Sequence, residues 1–161
     1  MTSKIARLAA VLAMLAIAFG ALPAAASTVI ADPAAFLQSV YARLAKGGDY
    51  IPPEDIYTPR LASLWALEER EAGKEVGRID FLFWIDGQDG TPADLHLRTV
   101  AVEGRADRRI IVATFKNGDQ PEDLRFYFQR TPAGWKVDDV VSLKGASPWT
   151  LSVILKYGWV D

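Results

Sequence analysis

The sequence predicts an α+β domain in which N-terminal helices pack on a curved antiparallel sheet. Apolar residues recur at helical spacing in two segments before residue 73. From residue 95 onward, apolar and polar residues alternate, which is typical of strands with one buried face. Short turn-rich segments join these strands, as they do between neighbouring antiparallel strands. Helices followed by such strands describe a layered α+β fold.

The first predicted helix begins at Asp32-Pro33 and ends before Gly47-Gly48. Aspartate caps a helix N-terminus with its side chain, and proline is favoured at the first helical position. The apolar positions between these signals repeat at helical spacing. They are Phe36, Leu37, Val40, Tyr41 and Leu44.

The second predicted helix begins at Thr58-Pro59 and ends at Gly73. Threonine repeats the capping signal of the first helix, and glycine is a common helix stop. Residues 68–71 are all charged. We interpret this charged run as the solvent-facing side of the helix.

Residues 79–85 form a dense apolar run that is too short for a confident helix. We interpret it as a buried segment that crosses the domain. The polar residues 86–90, which follow directly, are rich in turn formers.

The second half of the chain predicts a meander of four antiparallel strands. These strands are expected at residues 95–103, 109–116, 124–129 and 135–141. A short helix that includes Trp149 is predicted to follow Ser147-Pro148. The aromatic ending, residues 157–161, is expected to fold back or to pack on a neighbouring molecule.

The first 26 residues have the organisation of a secretory signal peptide. Lys4 and Arg7 precede an apolar run at residues 8–22, and Pro23 separates that run from three alanines. The alternative is a membrane anchor, but the run is shorter than the roughly 20 residues that cross a bilayer. We therefore predict cleavage after Ala26, a mature domain of residues 27–161 without a membrane span, and a periplasmic or secreted location.

Charge and cysteine content exclude several classes of function. Without Lys4 and Arg7, 16 basic residues face 20 acidic ones, which gives the mature chain a net charge of −4. Nucleic-acid binding relies on clustered cations, so this balance disfavours it. The chain has no cysteine, which excludes disulfides and a thiol nucleophile.

Several short motifs occur in a fixed order along the chain: Tyr41, Tyr57-Thr58-Pro59, Asp80-Phe81, Gln88-Asp89, Phe126-Tyr127-Phe128, the segment 135–140 and the tail 147–155. Together they resemble the nuclear transport factor 2-like superfamily, which also includes ketosteroid isomerase. More narrowly, they resemble a family of exported bacterial proteins, a domain of unknown function. The resemblance implies a cone-like roll of the cystatin or ketosteroid-isomerase type. It implies no particular activity, because fold alone does not determine function.

A curved sheet covered by helices leaves one open end, where a ligand pocket is plausible. The candidate lining residues are Trp65, Trp84, Gln88, Phe126, Phe128 and Trp149. Aromatic residues at strand and helix spacing are more often core residues, and we favour that interpretation.

Asp89 is the candidate general base, because it follows the apolar run and would lie at the mouth of the cone. A partly buried aspartate has a raised pKa and can abstract a proton, as in ketosteroid isomerase. Tyr127 and Tyr57 are the phenols available to assist it. The simpler interpretation, which we favour, is that Asp89 accepts hydrogen bonds within its own turn.

The remaining polar candidates have simpler interpretations. Asp138 and Asp139 alternate across the last strand, and we expect an inward one to pair with Arg98 or Arg125. His96 is the single histidine, so a zinc site is not expected. The spacing of the aspartates at 86, 89 and 94 does not follow a calcium-binding loop. We expect neither metal nor cofactor.

The sequence is compatible with three functions. The leading hypothesis is a non-enzymatic domain that binds a small apolar ligand or a protein partner. The second is an isomerase, dehydratase or hydrolase that uses Asp89 as its base. The third is an interaction module of the cell envelope, which pairs with an envelope protein or with itself as a homodimer.

Overall fold

The computed structural model of the chain describes residues 28–47, 50–144 and 148–159. Within these ranges, three α-helices accompany a curved, unclosed sheet of five antiparallel strands in sequential order, which confirms the α+β prediction. The elements are α1 (Pro33–Leu44), a 3-10 turn (Glu54–Ile56), α2 (Pro59–Ala72), β1 (Pro92–Ala101), β2 (Arg108–Asn117), β3 (Gln120–Thr131), β4 (Gly134–Ser142), β5 (Trp149–Thr150) and α3 (Leu151–Tyr157). The predicted signal peptide lies outside the described residues.

The predicted capping signals position both long helices. The Asp32 carboxylate accepts a hydrogen bond from the Ala35 amide at 2.8 Å, and Thr58 Oγ1 accepts one from the Leu61 amide at 3.3 Å. Each side chain satisfies one of the amides that a helix N-terminus leaves unpaired. Gly73 caps the end of α2 with a φ of 58°, a conformation that glycine adopts without strain.

The sheet places alternate side chains of β2, β3 and β4 against the helices. Phe126 on β3 lies opposite Ile111 of β2 and Val140 of β4, and all three side chains are buried. The register shifts between Tyr127 and Phe128, where β4 carries an extra residue, Asp138, that has no partner on β3. Such a bulge redirects side chains locally.

Trp84 lies at the centre of the core and is 2 % exposed. Its ring stacks on Phe126 with centroids 5.4 Å apart, and its backbone carbonyl accepts a hydrogen bond from the Tyr41 hydroxyl at 2.8 Å. Phe128 is also fully buried. Of the predicted crossing segment 79–85, residues 83–85 are buried, whereas Leu82 is 42 % exposed. Trp84 and Phe126 are core residues, and Phe128, although buried, also lines a recess on the other side of the sheet.

The C-terminal prediction was partly wrong. Trp149 is in β5, where it pairs with Ser142 of β4, and the helix α3 begins only at Leu151 with Thr150 as its N-cap. The pairing with β4 holds the Trp149 backbone extended. Ser147 lies outside the described residues. None of the helices in the described ranges combines the length and the apolar character needed to cross a membrane.

The charged run in α2 is not entirely solvent-facing, which corrects a second expectation. Glu68 is only 5 % exposed. Its carboxylate accepts a hydrogen bond from Arg78 Nη1 at 2.7 Å and another from the Arg78 backbone amide. A buried carboxylate needs such partners, since its desolvation is costly.

Candidate functional site

A cavity of about 490 Å³ lies beside α2, between residues 51–57 and residues 77–83. We call it the α2 cavity. Its lining residues are Ile51, Pro52, Glu54, Tyr57, Ala62, Trp65, Ala66, Glu68, Glu69, Ala72, Gly77, Ile79 and Phe83. Of the six predicted pocket residues, Trp65 is the one that lines it.

Aromatic rings form one wall of the α2 cavity. The Trp65 ring lies between Tyr57 and Phe83, with centroid distances of 6.1 Å and 6.0 Å. One large apolar lining residue faces solvent, since Ile51 is 86 % exposed. Apolar side chains that remain exposed beside an apolar cavity are typical of a binding surface.

Tyr57 and Trp65 each bury a polar atom that lacks a partner. In the described ranges, neither Tyr57 Oη nor Trp65 Nε1 has a hydrogen-bond partner, and both atoms are closed to solvent. Burial raises the pKa of the Tyr57 phenol, so its hydroxyl keeps the proton that it can donate. An unpaired buried polar group costs about 1–3 kcal/mol, so the domain carries two unfavourable contributions beside this cavity.

The charged residues of the α2 cavity are acidic. Glu54, Glu68 and Glu69 are among its lining residues, and no described lining residue is basic. Arg78, which neutralises Glu68, also donates a hydrogen bond to the Leu155 carbonyl at 3.1 Å. This contact ties the edge of the cavity to α3.

Gln88 and Trp149, two other predicted pocket residues, line a different cleft. This Asp86 cleft has a volume of about 630 Å³. The Asp86 carboxylate accepts hydrogen bonds from Trp149 Nε1 and from Ser142 Oγ, both at 2.6 Å. Asp86 thereby connects the loop after the buried crossing segment to β4 and β5.

Glu122 is a titratable residue of this cleft that the sequence analysis missed. Burial, the negative charge of Asp86 and a hydrogen bond with Asp86 raise the pKa of Glu122 to about 7, although Lys144 opposes the shift. The phenol of Tyr41, which is buried nearby, also has a raised pKa, because of burial and the same two carboxylates. Nothing in the local sequence of Glu122 indicates this pairing, because Asp86 is distant along the chain.

Glu122→Gln is expected to remove part of the pH dependence of stability. A raised pKa in the folded state means that the folded protein holds the Glu122 proton more tightly than the unfolded chain. This contribution to the free energy of unfolding is present below pH 4.5 and is lost as the pH rises to about 7. Since Glu122 is only partly buried, solvent screening limits the loss to about 1 kcal/mol.

The measurement is urea unfolding of the wild type and Glu122→Gln from pH 4.5 to 8. The variant, which imitates the protonated carboxyl, should match the wild type at low pH and exceed its stability at pH 8. Glu103→Gln, at an exposed turn position, serves as the control and should leave the wild-type profile unchanged. Parallel profiles for the wild type and Glu122→Gln would contradict the prediction.

Asp89 does not occupy the interior of the fold. Its side chain is exposed, and its backbone carbonyl accepts a hydrogen bond from Asn117 Nδ2 at 3.2 Å. Tyr127 lies on the opposite face of β3 from Phe126 and lines a separate recess with Arg108 and Asp138. The structure does not bring Asp89 and Tyr127 into a common cavity, and the burial that a base at Asp89 requires is absent.

Asp138 and Asp139 are paired, but not with the expected arginines. Asp138 accepts hydrogen bonds from Thr58 Oγ1 at 2.8 Å and from Arg108 Nη1 at 2.7 Å, and Ser152 Oγ donates to Asp139 at 2.5 Å. Burial alone would raise the pKa of Asp138, but the hydrogen bond from Thr58 and the nearby arginines outweigh it and lower the pKa. These contacts fasten α2 and α3 to β4.

The structure places the other polar candidates at the surface or in pairs. His96 is exposed on β1, and Asp94 forms an ion pair with Lys116 at 2.9 Å. Among the residues that the structure describes, no group of three or more histidine, cysteine, aspartate or glutamate side chains could hold a metal ion.

Comparison with known proteins gives no relative: no protein-family model, curated protein or solved structure matches the chain. The resemblance to the nuclear transport factor 2-like superfamily therefore remains a prediction from the sequence motifs.

Proposed function

We propose that this protein is an exported domain that binds a small, largely apolar ligand in the α2 cavity, and that its role is binding rather than catalysis. The observation that carries the proposal is the aromatic-walled cavity of about 490 Å³, whose lining includes the exposed apolar side chain of Ile51. Ligand pockets in proteins have volumes of roughly 300–1,000 Å³ and are lined mainly by apolar and aromatic side chains. The α2 cavity has both properties.

Nile red, a neutral apolar dye whose emission rises in apolar surroundings, tests the proposal. Ala66 lines the cavity from α2, so Ala66→Trp would fill part of it. We expect the wild type to bind the dye and Ala66→Trp to bind it at least about tenfold more weakly. Ala42→Trp, at an exposed position of α1 outside the cavity, is the matched control and should bind like the wild type. Absence of dye binding, or equal binding by Ala66→Trp, would contradict the proposal.

Export and membership in the nuclear transport factor 2-like superfamily are part of the same proposal. The cationic start, apolar run and alanine triplet support removal of residues 1–26 and a periplasmic or secreted location. Mass spectrometry of the protein from the periplasmic fraction should give a chain that begins at Ser27. A chain that retains its first 26 residues would contradict cleavage.

The alternative function is binding of a protein partner, either an envelope protein or a second copy of this chain. The observation that favours it is the exposure of Tyr157 and Trp159, which are 63 % and 51 % exposed near the end of the chain. Native mass spectrometry distinguishes the two functions, because it reports a retained small molecule or a second chain as different mass increments. The alternative of an enzyme with Asp89 as its base has no support from the position of that residue.

A further inference from the structure

We infer that the ligand of the α2 cavity is an electrically neutral molecule whose apolar body carries a hydrogen-bond acceptor, such as a carbonyl oxygen, recognised by Tyr57 and Trp65. This inference rests on the proposed function and names the chemical class of the ligand.

Two buried hydrogen-bond donors belong to residues that line the α2 cavity. Tyr57 is 8 % exposed and lines the cavity, yet its hydroxyl has no partner in the described part of the chain. Trp65 lines the same cavity, and its indole nitrogen is likewise without a described partner. Buried polar groups are nearly always hydrogen-bonded in folded proteins, so two such groups beside one cavity indicate a function that needs them.

The chemistry of the two groups defines what they can bind. An indole N–H only donates, and a phenol that keeps its proton also donates. A carbonyl oxygen has two lone pairs and accepts from either donor. Both polar atoms are closed to solvent, so the inferred binding requires a movement of the Tyr57 and Trp65 side chains that exposes these atoms to the cavity.

The charges of the lining residues exclude anions. Glu54, Glu68 and Glu69 line the cavity, and Arg78 is already engaged by Glu68 and Glu71. A carboxylate ligand would meet these negative charges without a free cation among the described lining residues. A neutral acceptor avoids that repulsion and still satisfies the donors.

Three naphthalene probes of similar size separate these contributions. 2-Acetylnaphthalene carries a carbonyl acceptor on the ring, 2-ethylnaphthalene carries a hydrocarbon group with one heavy atom fewer and no acceptor, and 2-naphthoate carries a carboxylate. Displacement of Nile red from the wild type measures the affinity of each probe. We expect the affinity of the acetyl compound to be about tenfold higher than that of the ethyl compound, and the affinity of the naphthoate to be the lowest. Equal affinities of the acetyl and ethyl compounds would overturn the inference and leave the proposed function standing. Failure of every probe to displace bound dye would also overturn the inference alone, whereas absence of dye binding would overturn both.

Tyr57→Phe tests the assigned donor directly. The variant removes only the unpartnered hydroxyl, so it should fold, and the preference for the acetyl over the ethyl compound should fall to about twofold or less. Its urea unfolding midpoint without ligand should rise, because an unsatisfied buried group has been removed. Tyr127→Phe, outside the cavity, is the matched control and should keep the tenfold preference. If the double variant Tyr57→Phe/Trp65→Phe kept the full preference for the acetyl over the ethyl compound, the assignment of these two side chains as the donors would be overturned.

Discussion

Trp84→Ala is expected to lower the free energy of unfolding by about 3–5 kcal/mol, which is the usual cost of truncating a buried large aromatic side chain. The Trp84 ring is 2 % exposed and lies in the middle of an aromatic cluster. Its centroid is 4.8 Å from that of Phe83, 5.2 Å from Tyr50 and 5.4 Å from Phe126. Alanine would leave a cavity that neighbours from three parts of the chain cannot collapse to fill. Urea unfolding followed by circular dichroism measures the loss.

Two variants make this expectation specific to packing. Trp84→Phe keeps an aromatic ring and removes an indole nitrogen that has no described partner, so its loss should be clearly smaller than that of alanine. Trp159→Ala removes a tryptophan that is 51 % exposed and should cost far less. If Trp84→Ala and Trp159→Ala lowered the free energy of unfolding by the same amount, Trp84 would not be the centre of the core.

The fold was predictable from the sequence because its signals are local. Asp32 and Thr58 cap helices within a few residues of their own position, and each is followed by proline. The turn at Gly118-Asp119 likewise joins β2 and β3 through two residues, with Gly118 at a φ of 60°. Alternation along the strands then specifies which side chains face the helices.

The candidate site was predictable only in part, because it depends on contacts between distant residues. Trp65, Trp84 and Phe126 are candidates for a pocket wall in the sequence, with a closed core as the favoured interpretation, since aromatic residues have the same spacing in both. Only tertiary contacts separate the three: Trp65 lies beside the α2 cavity, whereas Trp84 and Phe126 stack on each other in the core. Whether the Tyr57 hydroxyl finds a partner is also invisible in a linear pattern.

The errors have the same origin. Glu68 belongs to a charged run that local reasoning assigns to solvent, and only its contact with Arg78, ten residues later, explains its burial. Trp149 follows a helix signal, yet its pairing with β4 and its hydrogen bond to Asp86 keep it extended. In both cases a tertiary contact overrides the local preference.

Asp86→Ala is the second variant with a large expected effect, a loss of about 3 kcal/mol in the free energy of unfolding. Trp149 Nε1 would lose its acceptor while remaining buried, whereas Ser142 Oγ retains a second acceptor in the Lys144 carbonyl at 3.3 Å. Asp86 also has a φ of 53°, a region that aspartate and asparagine tolerate better than alanine. The lost hydrogen bond and the backbone strain therefore both lower the stability of Asp86→Ala.

Asp86→Asn separates the contributions, because asparagine keeps an acceptor oxygen and the tolerance for positive φ but removes the charge. Its stability loss should be about half that of Asp86→Ala, since one neutral hydrogen bond replaces two charge-assisted ones. Without the negative charge of residue 86, the pKa of Glu122 should fall below its value of about 7. Carbon-13 NMR titration of the Glu122 carboxyl in the wild type and in Asp86→Asn measures that change. An unchanged pKa of Glu122 would mean that burial alone raises it. If Asp86→Ala and Asp86→Asn lost the same free energy of unfolding, the hydrogen bonds to Asp86 would not stabilise the C-terminal segment.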